Sequence, residues 1–225
     1  RPAIKVAVID CDLHQGNGTA VIFEDDENVY TFSIHQRDLY PPKKDSNWDI
    51  HLRNGVGDAE YLGHLEKAVP AIMERFKPGF VLYQAGADPY EGDQLGDLKL
   101  TIEGLKKRDD LVFGECKKRG VDLICLAGFM IKIKRPLIEA YNGRILNIHP
   151  ALLPAFGGKG FYGDREHKAV LEAGVKETGC TVHYVDNQYD HGPILLQRRL
   201  AVRTEDTVET LAARVFEEEK IALPE

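Results

Sequence analysis

The sequence predicts an α/β protein with a Rossmann-like, mostly parallel sheet, helices on both faces and an antiparallel C-terminal edge. Strand-like apolar runs alternate with amphipathic, helix-like segments along most of the chain, and the strands are apolar almost throughout, as in sheets covered on both faces. After residue 178 the pattern changes to two alternating segments without room for a helix between them. That spacing is typical of an antiparallel strand pair.

The strand-like runs are short and rich in Val, Ile, Leu or Phe. They are KVAVID (5–10), VYTFSI (29–34), GFVLYQAG (79–86), VDLICLAG (121–128) and RILNIH (144–149). Segments with helical periodicity lie between them, at about 58–76, 101–118, 135–141 and 164–173. The antiparallel segments are GCTVHYVD (179–186) and PILLQRRLAV (193–202). A final helix is predicted over about 205–220, with Thr207 and Glu209 near its start.

The composition is that of an ordinary globular protein, with 43% hydrophobic and 29% charged residues. The net charge of −7 argues against nucleic acid or an anionic membrane as a partner. No apolar run reaches the roughly 18 residues of a membrane-spanning helix, and no signal peptide opens the chain. The four cysteines are scattered without a C-x-x-C pair, so we expect reduced thiols in a cytoplasmic protein.

A pattern of metal ligands follows the first strand. VIDCDLHQGNGTA (8–20) places Asp10, Asp12 and His14 at alternate positions, at the carboxyl end of a strand, where α/β sheets bind ligands. Asp88, in YQAGADPYEGD (83–93), ends another strand and supplies a third ligand. Carboxylates and an imidazole are ligands that suit zinc. The alternative for the D-x-H pattern alone is a solvated turn with polar caps.

Longer stretches of the first half identify a family. DCDLHQGNGTAVIFEDD, FSIH, GVGDAEYL and LYQAGADPYEGDQLGDLKLTIEGLKKRD resemble the zinc-dependent histone deacetylase and acetylpolyamine amidohydrolase superfamily, most closely its class IV-like members. The resemblance covers about residues 1–120. It implies that Asp12, His14 and Asp88 are zinc ligands, and that Asp10 and Ser33 belong to a potassium site.

Two catalytic features of that superfamily are not found in this sequence. The resemblance implies tandem histidines ahead of the D-x-H strand, and the sequence has no segment there that carries them. It also implies a tyrosine after the next strand, in a form like LAGGY, where this chain reads LAGFM with Met130 at the tyrosine position. We therefore expect zinc binding with no more than trace hydrolase activity.

A second pattern lies in the other half of the chain. GRILNIHPALLPAFGGKGFYG (143–163) puts Asn147 and His149 on one face at a strand end, and GCTVHYVDNQYDHGPILLQ (179–197) supplies His183 and Asp190. When an amine attacks a formyl carbon, the oxyanion that forms needs a hydrogen-bond donor and a proton source. Asn147 and charged His149 can provide both, with a carboxylate to hold the imidazole charge. The alternative for N-x-H alone is a satisfied strand-end polar pair.

This half resembles the phosphoribosylglycinamide formyltransferase family, from VDLICLAGFM to the end and down to FGGKGFYG and DHGPI. The resemblance implies that Asn147, His149 and Asp190 are catalytic, with His183 near them. It implies 10-formyltetrahydrofolate as cosubstrate. Its pterin would lie along LAGFM and VDNQYDHG, where the candidate residues are Phe129, Met130, Asp186 and Asn187. The family's glycine-rich phosphate loop belongs to a first strand–helix unit that the deacetylase-like half replaces.

The sequence thus predicts a composite chain. Residues 1–120 form a deacetylase-like half and residues 121–225 a formyltransferase-like half, and without a linker they are expected to form one continuous α/β domain. The leading interpretation is an impaired formyltransferase acting on small-molecule substrates. The alternatives are a remnant of a zinc amidohydrolase and a chimeric or non-catalytic scaffold.

Overall fold

A computed structural model describes residues 4–127, 135–158 and 164–224. The chain forms two compact units, Arg1–Gly120 and Val121–Glu225. Within the described ranges, the strands pair in two four-stranded sheets. The predicted α/β class is confirmed, since each unit contains one of these sheets together with helices. Periodicity indicates where strands lie along the chain, whereas the pairing of their edges depends on packing and register.

The first unit contains a fully parallel sheet. Its elements, in chain order, are β1 (Val6–Asp10), α1 (Asn17–Ile22), β2 (Val29–Gln36), β3 (Trp48–Leu52), α2 (Asp58–Phe76), β4 (Phe80–Gln84) and α3 (Ile102–Lys118). The strand order across the sheet is β3-β2-β1-β4. The chain moves outward from β1 to β3 and then returns to the other side of β1. This reversal creates a switch point at the carboxyl ends of β1 and β4, where such sheets bind ligands.

The two long helices of this unit lie where their periodicity predicts them. The residues that α2 buries recur three and four positions apart, as an amphipathic helix requires: Tyr61, Leu65, Ala68, Val69, Ile72 and Met73. Helix α3 follows Thr101, whose hydroxyl accepts the Gly104 N–H at 2.9 Å and so caps the first turn. The apolar stripe thus accounts for the position of α2, and the Thr101 cap fixes the start of α3.

The strand β3 was not expected from the sequence. Trp48–Leu52 reads WDIHL, which lacks a run of β-branched residues, and most of its side chains are only half-buried. The strand forms at the sheet edge by pairing with β2, in a register that runs from Phe32 opposite Trp48 to Gln36 opposite Leu52. The formation of this strand therefore depends on pairing with its neighbour rather than on a local sequence pattern.

The second unit contains a mixed sheet. Its elements are β5 (Ile124–Ala127), α4 (Arg135–Ala140), β6 (Ile145–His149), α5 (Asp164–Glu172), β7 (Glu177–Tyr184), β8 (Ile194–Ala201) and α6 (Val208–Ala222). The order is β5-β6-β7-β8, with β5 and β6 parallel and the other pairs antiparallel. This confirms the predicted antiparallel pair. Helix α6 begins after Thr207, which forms a capping box with Thr210.

The core of the second unit lies between its sheet and its last two helices. Its buried members are Ile148, Val170, Cys180, Val182, Leu211, Val215 and Ala222. All four cysteines of the chain are free thiols, as predicted. In the ranges that the structure describes, no helix is both long enough and apolar enough to cross a membrane.

Candidate active site and candidate metal centre

Four predicted catalytic residues meet at the carboxyl end of β6. Asn147 and His149 lie two positions apart on this strand, so their side chains project from the same face. The neighbouring strand β7 places His183 opposite Asn147, and the Asn147 Nδ2 donates to the His183 Nε2 at 3.1 Å. Asp190, in the connection between β7 and β8, brings its Oδ1 within 3.7 Å of both imidazoles. The four side chains form one polar cluster.

The proton positions on the two imidazoles follow from their partners. His183 Nδ1 faces the Tyr184 carbonyl oxygen at 2.9 Å, and a carbonyl can only accept. His183 therefore carries its proton on Nδ1 and accepts on Nε2. In His149 the Nε2 faces the Phe156 carbonyl at 2.9 Å, so that this nitrogen donates, while Nδ1 faces Asp190. Both ring nitrogens of His149 thus contact protein groups.

Burial and charge act in opposite directions on His149, which is only 4% exposed. Burial lowers the pKa of His149 below its ordinary value, because it disfavours the charged imidazolium. The Asp190 carboxylate and the Phe156 carbonyl raise this pKa, but less than burial lowers it. Asp190 therefore favours the charged form of His149, as the sequence suggests, yet the neutral form gains more from the surroundings.

The Asp190→Asn substitution is expected to lower the pKa of His149 further, because it removes the opposing charge and leaves burial in place. NMR titration of the His149 ring protons in both proteins measures the change. Asp186→Asn is a matched control, since Asp186 contacts His191 at 2.7 Å. It should leave the titration of His149 unchanged. A His149 titration that is the same with and without Asp190 would refute the coupling.

Two contacts between side chains and backbone groups stabilise the arrangement of this cluster. Asp190 has a φ of +50°, in the left-handed region that non-glycine residues rarely adopt, and its Oδ2 accepts the Gly158 N–H at 2.9 Å. Thr181, opposite His149 in the strand register, donates to the Ala151 carbonyl at 2.6 Å. Thr181 is not among the residues that the sequence predicted for this site. Its position two residues before His183 on the same strand is the signal that could have identified it.

Two of the four predicted pterin-lining residues, Asp186 and Asn187, lie in the connection between β7 and β8. Asp186 is half-buried and accepts from the Gln188 N–H at 2.7 Å, whereas Asn187 is exposed. Hydrogen bonds from His191 and the Gln188 backbone outweigh burial and lower the pKa of Asp186. Phe129 and Met130 lie outside the described residues. The assignment of all four to the cosubstrate stays a prediction.

The predicted zinc ligands converge at the switch point of the parallel sheet. Asp12 and His14 follow β1 and Asp88 follows β4, and each offers a ligand atom within 4.8 Å of the other two. His14 Nδ1 lies 3.2 Å from Asp12 Oδ1 and 3.0 Å from Asp88 Oδ2. All three residues are partly exposed. The sheet topology thus brings together residues that are more than 70 positions apart in the chain.

The surroundings of the three residues suit a cation. The Leu13 N–H, at 3.0 Å, holds the other oxygen of Asp88. A Cβ at Gly86 would lie 2.6 Å from Asp12 Oδ2 and 2.8 Å from Asp88 Oδ1, so only glycine lets the carboxylates approach this closely. Burial and the charge of Asp12 raise the pKa of Asp88. Clustered carboxylates of this kind are stabilised by a divalent ion. The donor set, two carboxylates and an imidazole, fits zinc.

The predicted potassium residues are neighbours in the sheet register, where Asp10 lies opposite Ser33. Both are buried. Burial raises the pKa of Asp10 to about 7, and the charges of Asp12 and Asp88 add to the effect. The Ser33 hydroxyl is hydrogen-bonded to His35 Nδ1 at 2.9 Å. The potassium role of this pair stays a prediction.

Two protein families match the chain. The formyl transferase family matches residues 74–225, and the histone deacetylase domain matches residues 2–128. Each match covers more than half of the chain. The chain therefore belongs to the formyl transferase family and, through its first part, to the histone deacetylase family, which confirms the predicted composite.

Two curated relatives are similar to part of this chain. The chain is 54% identical over 103 residues to the chloroplastic phosphoribosylglycinamide formyltransferase of Arabidopsis thaliana, covering 46% of this chain and 35% of the relative. It is 52% identical over 104 residues to the trifunctional purine biosynthetic protein adenosine-3 of Gallus gallus, covering 46% of this chain and 10% of the relative. The chain thus spans about a third or less of these relatives.

Among solved structures, the chain is similar to phosphoribosylglycinamide formyltransferase from Bacillus halodurans. The TM-score is 0.51 and the identity 26%, with 98% of this chain and 91% of that chain covered.

Proposed function

We propose that the Val121–Glu225 unit carries out formyl transfer from 10-formyltetrahydrofolate to the amine of phosphoribosylglycinamide, a step of purine synthesis. The convergence of Asn147, His149, His183 and Asp190 at the end of β6 supports this proposal. The identity to the Arabidopsis formyltransferase adds to it. The substrates are small molecules, and with a net charge of −7 neither nucleic acid nor an anionic membrane is predicted as a partner. A cytoplasmic location stays a prediction.

The cluster contains a hydrogen-bond donor for each stage of the reaction. The substrate amine attacks the formyl carbon, forming a new C–N bond and an oxyanion. One N–H of Asn147 is bound to His183, which orients the amide and leaves the second N–H for the oxyanion. The bond between the formyl carbon and N10 of the folate then breaks. N10 gains a proton as the attacking nitrogen loses one, so the proton count balances.

His149 needs a change of partner before it can act. Its Nε2 donates to the Phe156 carbonyl, and its Nδ1 faces Asp190. When substrate binds, the oxyanion replaces the Phe156 carbonyl as the acceptor of the Nε2 proton. Asp190 remains at Nδ1 and stabilises the imidazolium against the effect of burial. In this proposal the His149 imidazolium donates a hydrogen bond to the oxyanion, gives a proton to N10 as the bond to the formyl carbon breaks, and regains one from the attacking nitrogen.

Folate binding is expected to survive better than formyl transfer. The proposed pterin-lining segments belong to the second half of the chain, whereas the phosphate loop of the family belongs to the first half, which is deacetylase-like here. Each lost charge-assisted hydrogen bond to phosphate costs about 1.5–3 kcal/mol, so binding of the ribosylglycinamide should weaken by several orders of magnitude. Calorimetry with a non-reactive folate analogue, beside transfer assays at rising substrate concentration, measures the two effects.

Two results would contradict the expectation that folate binding survives better than formyl transfer. One is the failure of well-folded protein to bind the analogue. The other is transfer with an ordinary micromolar substrate requirement, since the replaced segment would then have to bind the phosphate.

A second candidate function is metal binding in the first unit, favoured by the cluster of Asp12, His14 and Asp88. We propose that these residues hold zinc. When bound, zinc polarises a carbonyl and acidifies water. Met130 occupies the sequence position where the deacetylase resemblance implies a tyrosine. The expected outcome is zinc binding with at most trace hydrolysis of an acetyl-lysine peptide.

A further inference from the structure

Arg108 is a buried cation that contacts the strand ends leading to the candidate metal centre, and neither proposed function gives it a role. It lies on α3 among residues of the apolar stripe, three positions after Leu105 and four before Val112, and none of its surface is exposed. Burying a guanidinium is costly unless hydrogen bonds replace its water. The groups that Arg108 contacts therefore indicate which part of the structure it stabilises.

The guanidinium of Arg108 donates to carbonyl groups from two separate segments. Nη1 donates to the Gly86 carbonyl at 2.6 Å and to the Cys11 carbonyl at 3.4 Å. Nη2 donates to the Ala85 carbonyl at 3.3 Å. One segment directly follows β1 and the other directly follows β4. A single rigid side chain thus ties together the two strand ends that lead into the metal cluster.

The side chain of Asp109 holds Arg108 in this orientation, and tyrosine hydroxyls support the contact. Asp109 Oδ1 accepts from its Nε at 3.0 Å and lies 2.9 Å from its Nη2. The same carboxylate oxygen accepts the Tyr83 hydroxyl at 2.6 Å. The Tyr61 hydroxyl donates to the Cys11 carbonyl at 3.3 Å, beside the bond from Arg108. Helices α2 and α3 therefore both contribute to the clamp on the end of β1.

We propose that Arg108 is a positioning residue for the metal centre, which sets the separation of the segments carrying Asp12 and Asp88. The Cys11 carbonyl directly precedes Asp12, and the Gly86 carbonyl lies two residues before Asp88. A metal site needs its ligand atoms held to within a few tenths of an ångström, so the spacing of these segments decides whether the carboxylates reach one ion. This inference rests on the proposal that the cluster binds zinc.

Lysine cannot perform this role in place of arginine. The planar fork of Arg108 serves three carbonyls and one carboxylate at once, whereas an ammonium is a compact charge on a flexible stem. Arg108→Lys therefore keeps the charge but loses the clamp. Arg108→Met keeps the approximate size of the side chain and loses both the charge and the hydrogen bonds to the carbonyls. Arg53→Met is a matched control, because Arg53 is an exposed arginine of the same unit that pairs with Glu60.

The test measures zinc affinity by competition with a chromophoric chelator, and the visible absorption of the Co²⁺-loaded proteins, on the full chain. Arg108→Lys should weaken zinc binding by about ten- to a hundredfold, the range typical for residues that orient metal ligands. Its Co²⁺ spectrum should change, because the ligand geometry relaxes. Arg108→Met should lose at least as much affinity, and Arg53→Met should behave as the unsubstituted chain. A general loss of stability would lower the melting temperature without altering the Co²⁺ spectrum of the folded protein.

The possible failures are distinguishable. If the unsubstituted chain binds no zinc, the metal centre itself is wrong. If it binds zinc and folded Arg108→Lys binds equally well with the same Co²⁺ spectrum, the positioning role is wrong and the metal centre stands. If Arg108→Met does not fold, Arg108→Lys decides the question. A failure of Arg108→Lys to fold would also contradict the proposal, which predicts a folded protein with a weakened site.

Discussion

The His149→Ala substitution is expected to reduce formyl transfer by about 10²–10⁴-fold, the usual contribution of a positioned proton donor. In the proposed reaction the imidazole donates a hydrogen bond to the oxyanion and relays the proton, and its partners Phe156 and Asp190 hold it in place. Asn147→Ala should cost about 10²–10³-fold, because it removes one donor to the oxyanion. A quenched assay of formyl transfer at saturating cosubstrate measures both effects.

Binding of a folate analogue separates this loss from a loss of structure. Both variants should bind the analogue with nearly unchanged affinity, because the proposed pterin-lining segments do not include β6. Asn142→Ala is a matched control, since Asn142 is an exposed asparagine in the turn before that strand, and it should keep full transfer activity. Transfer that persists in His149→Ala would show that another group moves the proton.

The Asp88→Ala substitution is expected to abolish stoichiometric zinc binding. Even residues that only orient metal ligands contribute about ten- to a hundredfold to affinity, so the loss of one ligand in three should exceed a hundredfold. The substitution also leaves His14 with one carboxylate partner instead of two. Elemental analysis after dialysis against a zinc buffer, together with competition titrations, measures the change.

Glu91→Ala is the control for this variant, because it removes an exposed carboxylate from the same loop and should leave zinc binding intact. Full occupancy in Asp88→Ala would mean that the ion binds elsewhere. Robust hydrolysis of an acetyl-lysine peptide by the unsubstituted chain would show that the reaction does not require the tyrosine that the resemblance implies at position 130.

Short sequence patterns predicted the features of the structure that depend only on neighbouring residues. The spacing of two in D-x-H and N-x-H places side chains on one face of a strand, whatever the rest of the fold. Asp12 and His14 therefore came together as expected, and so did Asn147 and His149. The strand and helix runs also predicted the α/β class, because apolar periodicity reports directly which face is buried.

The pairings between distant segments depended on resemblance or on the structure. Nothing local joins Asp88 to His14, or Asp190 to His149, and the close approach of each pair depends on strand order. The ring nitrogens that His149 offers to Phe156 and Asp190 likewise follow from the packed site. Its burial also reverses the direction in which Asp190 alone would move the pKa.

The sequence by itself thus determined the α/β class and the residue types at each strand end, because these follow from short-range pattern. The composite of two families came from the resemblance of longer stretches to known families. The tertiary structure alone decided that the described strands pair in two sheets, that WDIHL forms an edge strand, and that Arg108 clamps two strand ends. These features arise from hydrogen bonds between segments far apart in the chain. Such bonds depend on register and packing, which periodicity along the sequence does not encode.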